Sequence, residues 1–124
     1  MAGELILIVE DNEKNLKLVR DVLQFKGYQT VEAGTGEDGV RLAKERHPAL
    51  VLMDIQLPGM DGITALGRLR ADPTTRAIPV IAVTASAMTH DRQKIMAAGF
   101  DGYQSKPIRV KEFLEAVRAM LDRT

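Results

Sequence analysis

The sequence predicts one α/β domain in which five parallel strands alternate with five helices. Short apolar runs recur along the chain, and each is followed by a longer segment whose apolar residues repeat at helical spacing. Such alternation is typical of parallel sheets, because the chain must return along a connecting helix before it can form the next parallel strand. A length of 124 residues with 45% hydrophobic content fits one compact domain. We therefore expect residues 1–124 to form a single domain with helices on both faces of the sheet.

The first strand and the first helix have the clearest signals. Residues Leu5–Val9 form a continuous apolar run rich in β-branched side chains, as expected for a strand that is covered on both faces. Asn12 then provides a helix cap, and Gly27 provides the stop. The apolar residues between them repeat at helical spacing: Leu16, Val19, Val22 and Leu23.

The same order of strand and helix recurs four more times. Acidic residues in the first turn and basic residues in the last turn favour the second helix, and Pro48 closes it. The Asp72-Pro73 pair breaks the third helix, which has Ile63, Leu66 and Leu69 on its inward face. The later predicted strands are 29–33, 49–53, 79–83 and 102–104, and the later predicted helices are 37–46, 61–71, a segment within 88–98 that ends at Gly99, and a last helix with Val110, Leu114, Val117 and Leu121 on one stripe.

Composition excludes several classes of function. Seventeen basic and seventeen acidic residues cancel, so no overall field draws the chain to nucleic acid or to an anionic membrane. The absence of cysteine excludes disulfides and thiolate metal sites, so any metal should be a hard ion with oxygen ligands. The N-terminal segment lacks the features of a secretory signal, and no apolar run is long enough to cross a bilayer. We expect a soluble cytoplasmic protein.

Acidic residues follow two of the predicted strands and should meet in space. The flavodoxin-like strand order 2-1-3-4-5 suits five strands, and it places the loops after the first and third strands side by side. Glu10 and Asp11 follow the first strand, and Asp54 follows the third. Clustered carboxylates repel one another, and a divalent cation bridges them. Thr84 follows the fourth strand and Lys106 lies near the end of the fifth, so both are expected at the same edge of the sheet. The sequence therefore predicts one cleft built from the ends of four strands.

These motifs resemble those of the receiver domains of two-component response regulators, and the resemblance covers the whole chain. Each motif stands at the end of the appropriate strand. The AMTHD segment and the lack of an output domain are also similar to DivK-like single-domain regulators and to receivers of hybrid kinases. The matching segments are IVEDN with Glu10 and Asp11, LMDIQLPGMDG with Asp54, VTA with Thr84 and Ala85, and YQSKP with Tyr103 and Lys106.

The resemblance implies a phosphorelay receiver with a magnesium site. Asp54 is then the nucleophile that takes a phosphoryl group from a histidine kinase or a histidine phosphotransfer protein. Asp11, Asp54 and the backbone carbonyl of Gln56 would hold Mg²⁺, and Glu10 would act largely through water. Lys106 would neutralise a phosphoryl oxygen. Glu10 stands where many family members carry aspartate, and its longer side chain still permits a water-mediated contact.

The resemblance also implies a conformational switch. The hydroxyl of Thr84 and the backbone N–H groups of Ala85 and Gln56 would bind the remaining phosphoryl oxygens. Tyr103 would then move inward and alter a surface that protein partners read. Such a chain is a phosphoacceptor that assists its own phosphorylation and dephosphorylation, and it is not an enzyme acting on a separate substrate.

The implied partners are proteins, with no direct role for nucleic acid or membrane. Helix one is the predicted surface for the phosphodonor, because Lys14, Asn15 and Leu18 fall outside the inward stripe of that helix. The sequence leaves open a weak dimer, and it leaves open that the domain was cut from a hybrid kinase or a larger response regulator.

Other interpretations of the same residues remain at this point. Glu10 and Asp11 also suit a helix-capping acidic turn, Asp54 suits a turn start, and Lys106 suits a solvated position before proline. An FMN-binding module of the same fold is disfavoured, because the acidic EDNEKN loop lacks the glycines that wrap a phosphate. An aspartyl-phosphate hydrolase is disfavoured because Gln56 occupies the place of its second aspartate.

Overall fold

The computed structural model describes residues 3–85 and 89–123, and for residues 89–91 it describes the backbone alone. Strands and helices alternate throughout this part of the chain. Met88, at the start of the segment predicted to contain the fourth helix, lies outside the described residues. The elements are β1 (Leu5–Val9), α1 (Glu13–Phe25), β2 (Gln29–Ala33), α2 (Gly36–Arg46), β3 (Leu50–Asp54), α3 (Gly62–Ala71), β4 (Val80–Thr84), α4 (Thr89–Ala97), β5 (Gly102–Ser105) and α5 (Val110–Asp122).

The five strands form one parallel sheet in the order β2-β1-β3-β4-β5, which confirms the predicted fold. β1 lies between β2 and β3, and the strand order reverses there. In the register of the central strands, Val9 pairs with Met53 and Asp54 pairs with Val83. The carboxyl ends of β1, β3 and β4 therefore lie next to one another. The loops that leave these strands open on the same edge of the sheet.

Two apolar clusters cover the two faces of the sheet. Alternate residues of β1 supply them, with Leu7 and Val9 in one cluster and Ile6 and Ile8 in the other. The first cluster receives buried side chains from α2, α3 and α4, and the second receives them from α1 and α5. Because a strand directs successive side chains to opposite faces, its continuous apolar run is explained by helices on both sides. No helix in the described part of the chain is long and apolar enough to span a bilayer.

The predicted bounds of the two central strands after β1 were wrong by one residue. β3 extends to Asp54 and β4 extends to Thr84, because ladder pairing continues through Asp54 with Val83 and through Thr84 with Ser105. Both polar residues are thus the last residues of their strands, and both are buried. The strand backbone fixes their position more tightly than a loop would.

The predicted apolar stripe of the last helix was wrong in part. Val110 is 44% exposed, and Leu114 is only half-buried. The buried side chains of α5 are Phe113, Val117, Met120 and Leu121, which follow one another at helical spacing. Phe113 is the largest fully buried side chain, and burying it turns the face of α5 away from the predicted stripe.

Helix ends follow the predicted chemistry. The side chain of Asn12 accepts hydrogen bonds from the backbone N–H groups of Lys14 and Asn15, at 3.0 and 3.1 Å. Asp61, predicted as the first residue of the third helix, instead caps it by accepting from the N–H of Thr64 at 2.8 Å. Gly27 follows α1 with a φ of 91°, in the left-handed region that a glycine adopts without a steric cost.

Candidate functional site

Three carboxyl groups meet at the carboxyl edge of the sheet. Glu10 directly follows β1, Asp11 is next to it, and Asp54 ends β3. One carboxylate oxygen from each of the three residues lies within 4.8 Å of the others. Glu10 and Asp54 are 5% and 4% exposed, whereas Asp11 is exposed, so the cluster opens to solvent on the side of Asp11. The strand order brings these residues together, as the sequence predicted.

Lys106 faces two of these carboxylates. Its Nζ lies 2.8 Å from Oε1 of Glu10 and 3.1 Å from Oδ2 of Asp54. The backbone N–H of Lys106 donates to the carbonyl of Thr84 at 2.8 Å, which carries the pairing of β4 and β5 one residue beyond β5. The peptide bond between Lys106 and Pro107 is cis. Among the residues that the structure describes, the cluster thus combines one cation with three carboxylates and keeps an excess of negative charge.

The excess negative charge has opposite effects on the two kinds of group. Burial raises the pKa of Glu10, and the nearby carboxyl of Asp54 raises it further, because both disfavour a second buried negative charge. Burial alone would lower the pKa of Lys106, but its hydrogen bonds to Glu10 and Asp54 outweigh burial and raise the pKa. Lys106 is therefore cationic at neutral pH, and the acidic cluster would gain stability from a further cation.

Both oxygens of the Asp54 side chain have a donor. Oδ1 accepts from the backbone N–H of Gln56 at 3.0 Å, and Oδ2 accepts from Lys106. Oε2 of Glu10 accepts in the same way from the backbone N–H of Asn12 at 3.1 Å. These bonds hold the two buried carboxylates in fixed orientations. Gln56 follows Asp54 by two residues, and its side chain is exposed.

Gly62 shapes the backbone under Asp54, and the sequence analysis missed this role. A Cβ atom at Gly62 would lie 2.4 Å from the carbonyl oxygen of Asp54 and 2.9 Å from Cα of Ile55. The N–H of Gly62 donates to the carbonyl of Ile55 at 2.9 Å. The loop after β3 thus folds back against the strand end, and only a residue without a side chain fits there. The sole signal in the sequence was a glycine near a helix start.

The predicted switch residues lie on two neighbouring strands. Thr84 ends β4 and is 2% exposed, and Ala85 follows it at the surface. Tyr103 lies in β5, where it pairs with Ala82 and packs partly buried against the cluster on the α2, α3 and α4 face. The guanidinium of Arg92 lies over its ring, 4.9 Å from the centroid. The structure thus places Tyr103 beside α4 and outside the acidic cluster, and the contact with Arg92 had no signal in the sequence.

The predicted docking residues lie on α1 beside this edge. Lys14 is exposed, Leu18 is 40% exposed, and Asn15 is half-buried. Val19 and Leu23 face the core, as the predicted inward stripe requires. Leu18 is therefore an apolar side chain left at the surface of α1.

A parallel sheet in the order 2-1-3-4-5, with clustered acids and a facing lysine at its carboxyl edge, defines the class of CheY-like receivers. The chain belongs to the response regulator receiver domain family, whose family model matches residues 6–118. The predicted family is confirmed, and it is a family of two-component regulators rather than of classical enzymes.

Individual relatives agree with this assignment. The polar-differentiation response regulator DivK of Brucella ovis is 47% identical over 116 residues, which cover 94% of each chain. A receiver domain of a sensor histidine kinase from Pseudomonas aeruginosa, solved with a magnesium ion coordinated in its active site cleft, is 34% identical with a TM-score of 0.91 over 98% of this chain and 99% of that one. A CheY-like receiver domain protein from Methanospirillum hungatei is 30% identical with a TM-score of 0.86, over 98% and 96% of the two chains.

Proposed function

We propose that this chain is a phosphorelay receiver that accepts a phosphoryl group on Asp54 from a histidine kinase or a histidine phosphotransfer protein. The observation that carries the proposal is the cluster of Glu10, Asp11 and Asp54 with Lys106 across from it. Asp54 is the member of this cluster that ends a central strand, and donors on both of its oxygens orient it. A fixed, partly neutralised carboxylate is suited to attack at phosphorus.

Glu10, Asp11, Asp54 and the backbone carbonyl of Gln56 would hold a Mg²⁺ ion. The donor set fits this ion, because it consists of hard oxygen ligands without nitrogen or sulfur. Burial and Asp54 raise the pKa of Glu10 even though Lys106 is 2.8 Å away, which is a further sign that negative charge exceeds positive charge in the cluster. The magnesium ion in the Pseudomonas aeruginosa relative supports the same choice. When bound, Mg²⁺ would offset the negative charge that the carboxylates and an incoming phosphoryl group bring together.

In the proposed transfer, an oxygen of Asp54 forms a bond to phosphorus while the phosphorus–nitrogen bond of the donor phosphohistidine breaks. The electron pair of that bond stays on the imidazole nitrogen. Lys106, already 3.1 Å from Asp54, would supply positive charge to a phosphoryl oxygen. The Thr84 hydroxyl and the N–H groups of Ala85 and Gln56 would donate to the other oxygens. The chain would thereby assist its own phosphorylation and dephosphorylation.

Phosphorylation would then act as a switch through Thr84 and Tyr103. The phosphoryl group adds about −1.5 to −2 charge and draws the Thr84 hydroxyl toward it, so that Tyr103 moves inward. A shift from 1:99 to 99:1 between two states needs about 5.5 kcal/mol of differential stabilisation, which a few charge-assisted hydrogen bonds supply. Protein partners would read the altered surface.

We propose further that residues 1–124 act as one receiver domain in the cytoplasm, with protein partners and no direct contact with nucleic acid or membrane. The exposed Leu18 and Lys14 of α1 support a docking role for that helix, with Asn15 beside them. A substitution of Leu18 by lysine is expected to slow transfer from a phosphohistidine donor and to leave the reaction with acetyl phosphate unchanged. An equal effect on both donors would remove α1 from the proposal. The same chemistry at Asp54 is expected if the domain belongs to a hybrid kinase or a larger regulator, or forms a weak dimer.

The central test is the mass of the intact protein after incubation with acetyl phosphate and Mg²⁺. We expect one phosphoryl adduct on the wild type, and none on Asp54→Asn or after chelation of the metal. Asp61→Asn is the matched control, because asparagine still caps α3 and the residue lies in the loop that follows Asp54. This control is expected to carry the adduct.

Two outcomes would overturn the proposal. An adduct that survives Asp54→Asn would place the acceptor on another residue. An adduct that forms equally well without divalent metal would remove Mg²⁺ from the mechanism, and the acidic cluster would then need another explanation.

A further inference from the structure

The described side chains of helix α4 include few that are buried against the sheet. Of its described side chains, from Arg92 to Ala97, only Ile95 is buried. By contrast, α3 buries Ala65, Leu66 and Leu69. Because apolar burial supplies most of the energy that fixes a helix in place, each further contact between α4 and the sheet has a large share in setting its position.

One such contact is the stacking of Arg92 on Tyr103. The guanidinium lies 4.9 Å from the ring centroid, within the range of a cation–π interaction. Among the described side chains, no carboxylate lies within ion-pair distance of Arg92, so the ring is its principal partner there. The two residues border an open cavity of about 440 Å³, together with Met96, which is 45% exposed. The ring of Tyr103 therefore has the core on one side and Arg92 with open space on the other.

We propose that Arg92 is a positioning residue that holds the ring of Tyr103 in its half-buried position beside α4 and so sets the threshold of the switch. This inference rests on the proposed function, in which Tyr103 moves inward on phosphorylation. A ring that has moved toward β4 no longer lies under a guanidinium on α4, so the inward movement breaks the stacking. The contact opposes activation, and its loss on activation frees a positive charge on the surface of α4.

The size of the effect follows from the strength of the contact. A partly exposed cation–π pair changes a two-state equilibrium by about two- to five-fold. Consider a ligand that binds only the inward form, when that form is the minor one. Its apparent dissociation constant equals its intrinsic dissociation constant divided by the fraction of protein in the inward form. Removing the Arg92 guanidinium should therefore lower the apparent dissociation constant of a phosphoryl mimic by about two- to five-fold.

The chain offers a direct probe of the ring. It contains two tyrosines and no tryptophan, so labelling with 3-fluorotyrosine gives two ¹⁹F signals, and Tyr28→Phe identifies the signal of Tyr103. The probe ligand is beryllofluoride with Mg²⁺, titrated while the Tyr103 signal is followed. The variants are Arg92→Gln, which removes the charge, and Arg92→Lys, which keeps the charge but loses the planar stacking. Lys94→Gln is the matched control, because it removes the same charge from the same helix.

We expect Arg92→Gln to bind beryllofluoride about two- to five-fold more tightly, Arg92→Lys to show a smaller gain, and Lys94→Gln to match the wild type. Equal affinities for Arg92→Gln and the wild type would overturn the inference, as would an equal gain in Lys94→Gln. A purely structural role of Arg92 would lower the melting temperature without tightening binding.

The failure of this inference is distinct from failure of the proposed function. If acetyl phosphate forms the adduct on Asp54 but the Tyr103 signal does not move, the role of Arg92 is wrong and Asp54 remains the acceptor. If no adduct forms in the wild type, the proposed function itself is wrong, and the inference about Arg92 fails with it.

Discussion

Strand β1 has a glutamate at each end, and the two carboxyl groups lie in opposite electrostatic surroundings. Glu4, just before the strand, accepts a hydrogen bond from Arg118 at 2.8 Å, and this bond lowers its pKa. Glu10, just after the strand, is buried beside Asp54, and its pKa is raised. The same residue type is thus stabilised as an anion at one edge of the sheet and destabilised as an anion at the other.

The rest of each edge follows the same division. At the amino edge, Asp101 accepts from Arg70 and from the backbone N–H of Val80, both at 2.8 Å, so the carboxylate has its own arginine. At the carboxyl edge, Glu10 and Asp54 share Lys106, and Asp11 adds a third carboxylate to the cluster. Carboxylates paired with arginines stabilise the fold, whereas an excess of carboxylates lowers stability when no further cation is bound. The amino edge thus has paired charges that stabilise the fold, and the carboxyl edge has the excess of acids at which we propose phosphoryl transfer.

The largest expected effect tests how the carboxyl edge holds together despite its repulsion. Gly62→Ala should destabilise the protein by about 3 kcal/mol or more, because the new Cβ would meet backbone atoms of Asp54 and Ile55 that cannot move away independently. Gly67→Ala on the same helix is the control. A Cβ there would meet nothing within 4 Å, so this change should be neutral or stabilise by about 0.5–1 kcal/mol. Urea unfolding measures both, and similar values for the two variants would contradict the tight packing under Asp54.

The next effect tests the shared lysine. In the presence of chelator, Lys106→Met should lower the free energy of unfolding by about 2 kcal/mol. Breaking a fully buried ion pair costs more, about 3–5 kcal/mol. The smaller loss is expected here because the site opens to solvent and Glu10 is able to take up a proton. Added Mg²⁺ should restore more stability to this variant than to the wild type, since it replaces the missing positive charge. Thermal unfolding with and without Mg²⁺ measures the difference. An equal response of both proteins to the metal would break the proposed division between the edges.

At the amino edge, Asp101→Asn should cost about 1–2 kcal/mol, because a charge-assisted bond to Arg70 is lost while the bond to Val80 is retained or weakened. Mg²⁺ should not change this loss. Asp38→Asn is the control, since the pair of Asp38 with Arg41 is exposed and 3.5 Å long, and its loss should stay within about 0.5 kcal/mol. Urea midpoints in chelator and in Mg²⁺ decide the matter, and a metal-dependent loss at Asp101 would argue against a purely structural edge.

The smallest effect is a difference in pH dependence between Glu4 and Glu10. The lowered pKa of Glu4 adds stability that is complete above its ordinary value of 4.5 and is lost as pH falls through the folded-state value. The raised pKa of Glu10 adds stability that is complete below its ordinary value of 4.5 and is lost as pH rises from there through the folded-state value. In chelator, Glu4→Gln should therefore be less stable than the wild type at neutral pH and approach it in acid. Glu10→Gln should gain on the wild type as pH rises from 4.5 toward neutrality.

Urea midpoints of both variants across this pH range give the measurement. Parallel curves for the two variants would show that the two ends of β1 have the same electrostatic surroundings, and would contradict the expected difference between the two edges. With Mg²⁺ present, the gain of Glu10→Gln should disappear, because the ion removes the cost of the charged carboxylate.

The position of the acidic residues was predictable because strands and helices alternate regularly along the chain. Asn12, Gly27 and the apolar runs act locally, so the bounds of β1 and β2 were predicted correctly. The meeting of Glu10 with Asp54 followed from the strand order alone, since neighbouring parallel strands end at one edge. The stripe of α5 was not predicted correctly, because several apolar residues there compete and packing decides which are buried.

The sequence by itself determined the alternation of strands and helices, the acidic edge and the family, because these depend on local propensity and on the fixed geometry of a parallel sheet. Only the tertiary structure decided that Lys106 contacts both Glu10 and Asp54, that Gly62 leaves room for the backbone of Asp54, and that Arg92 lies over Tyr103. Each of these contacts joins residues from separate elements. Their distances depend on how whole helices and loops pack, and no local pattern along the chain records that packing.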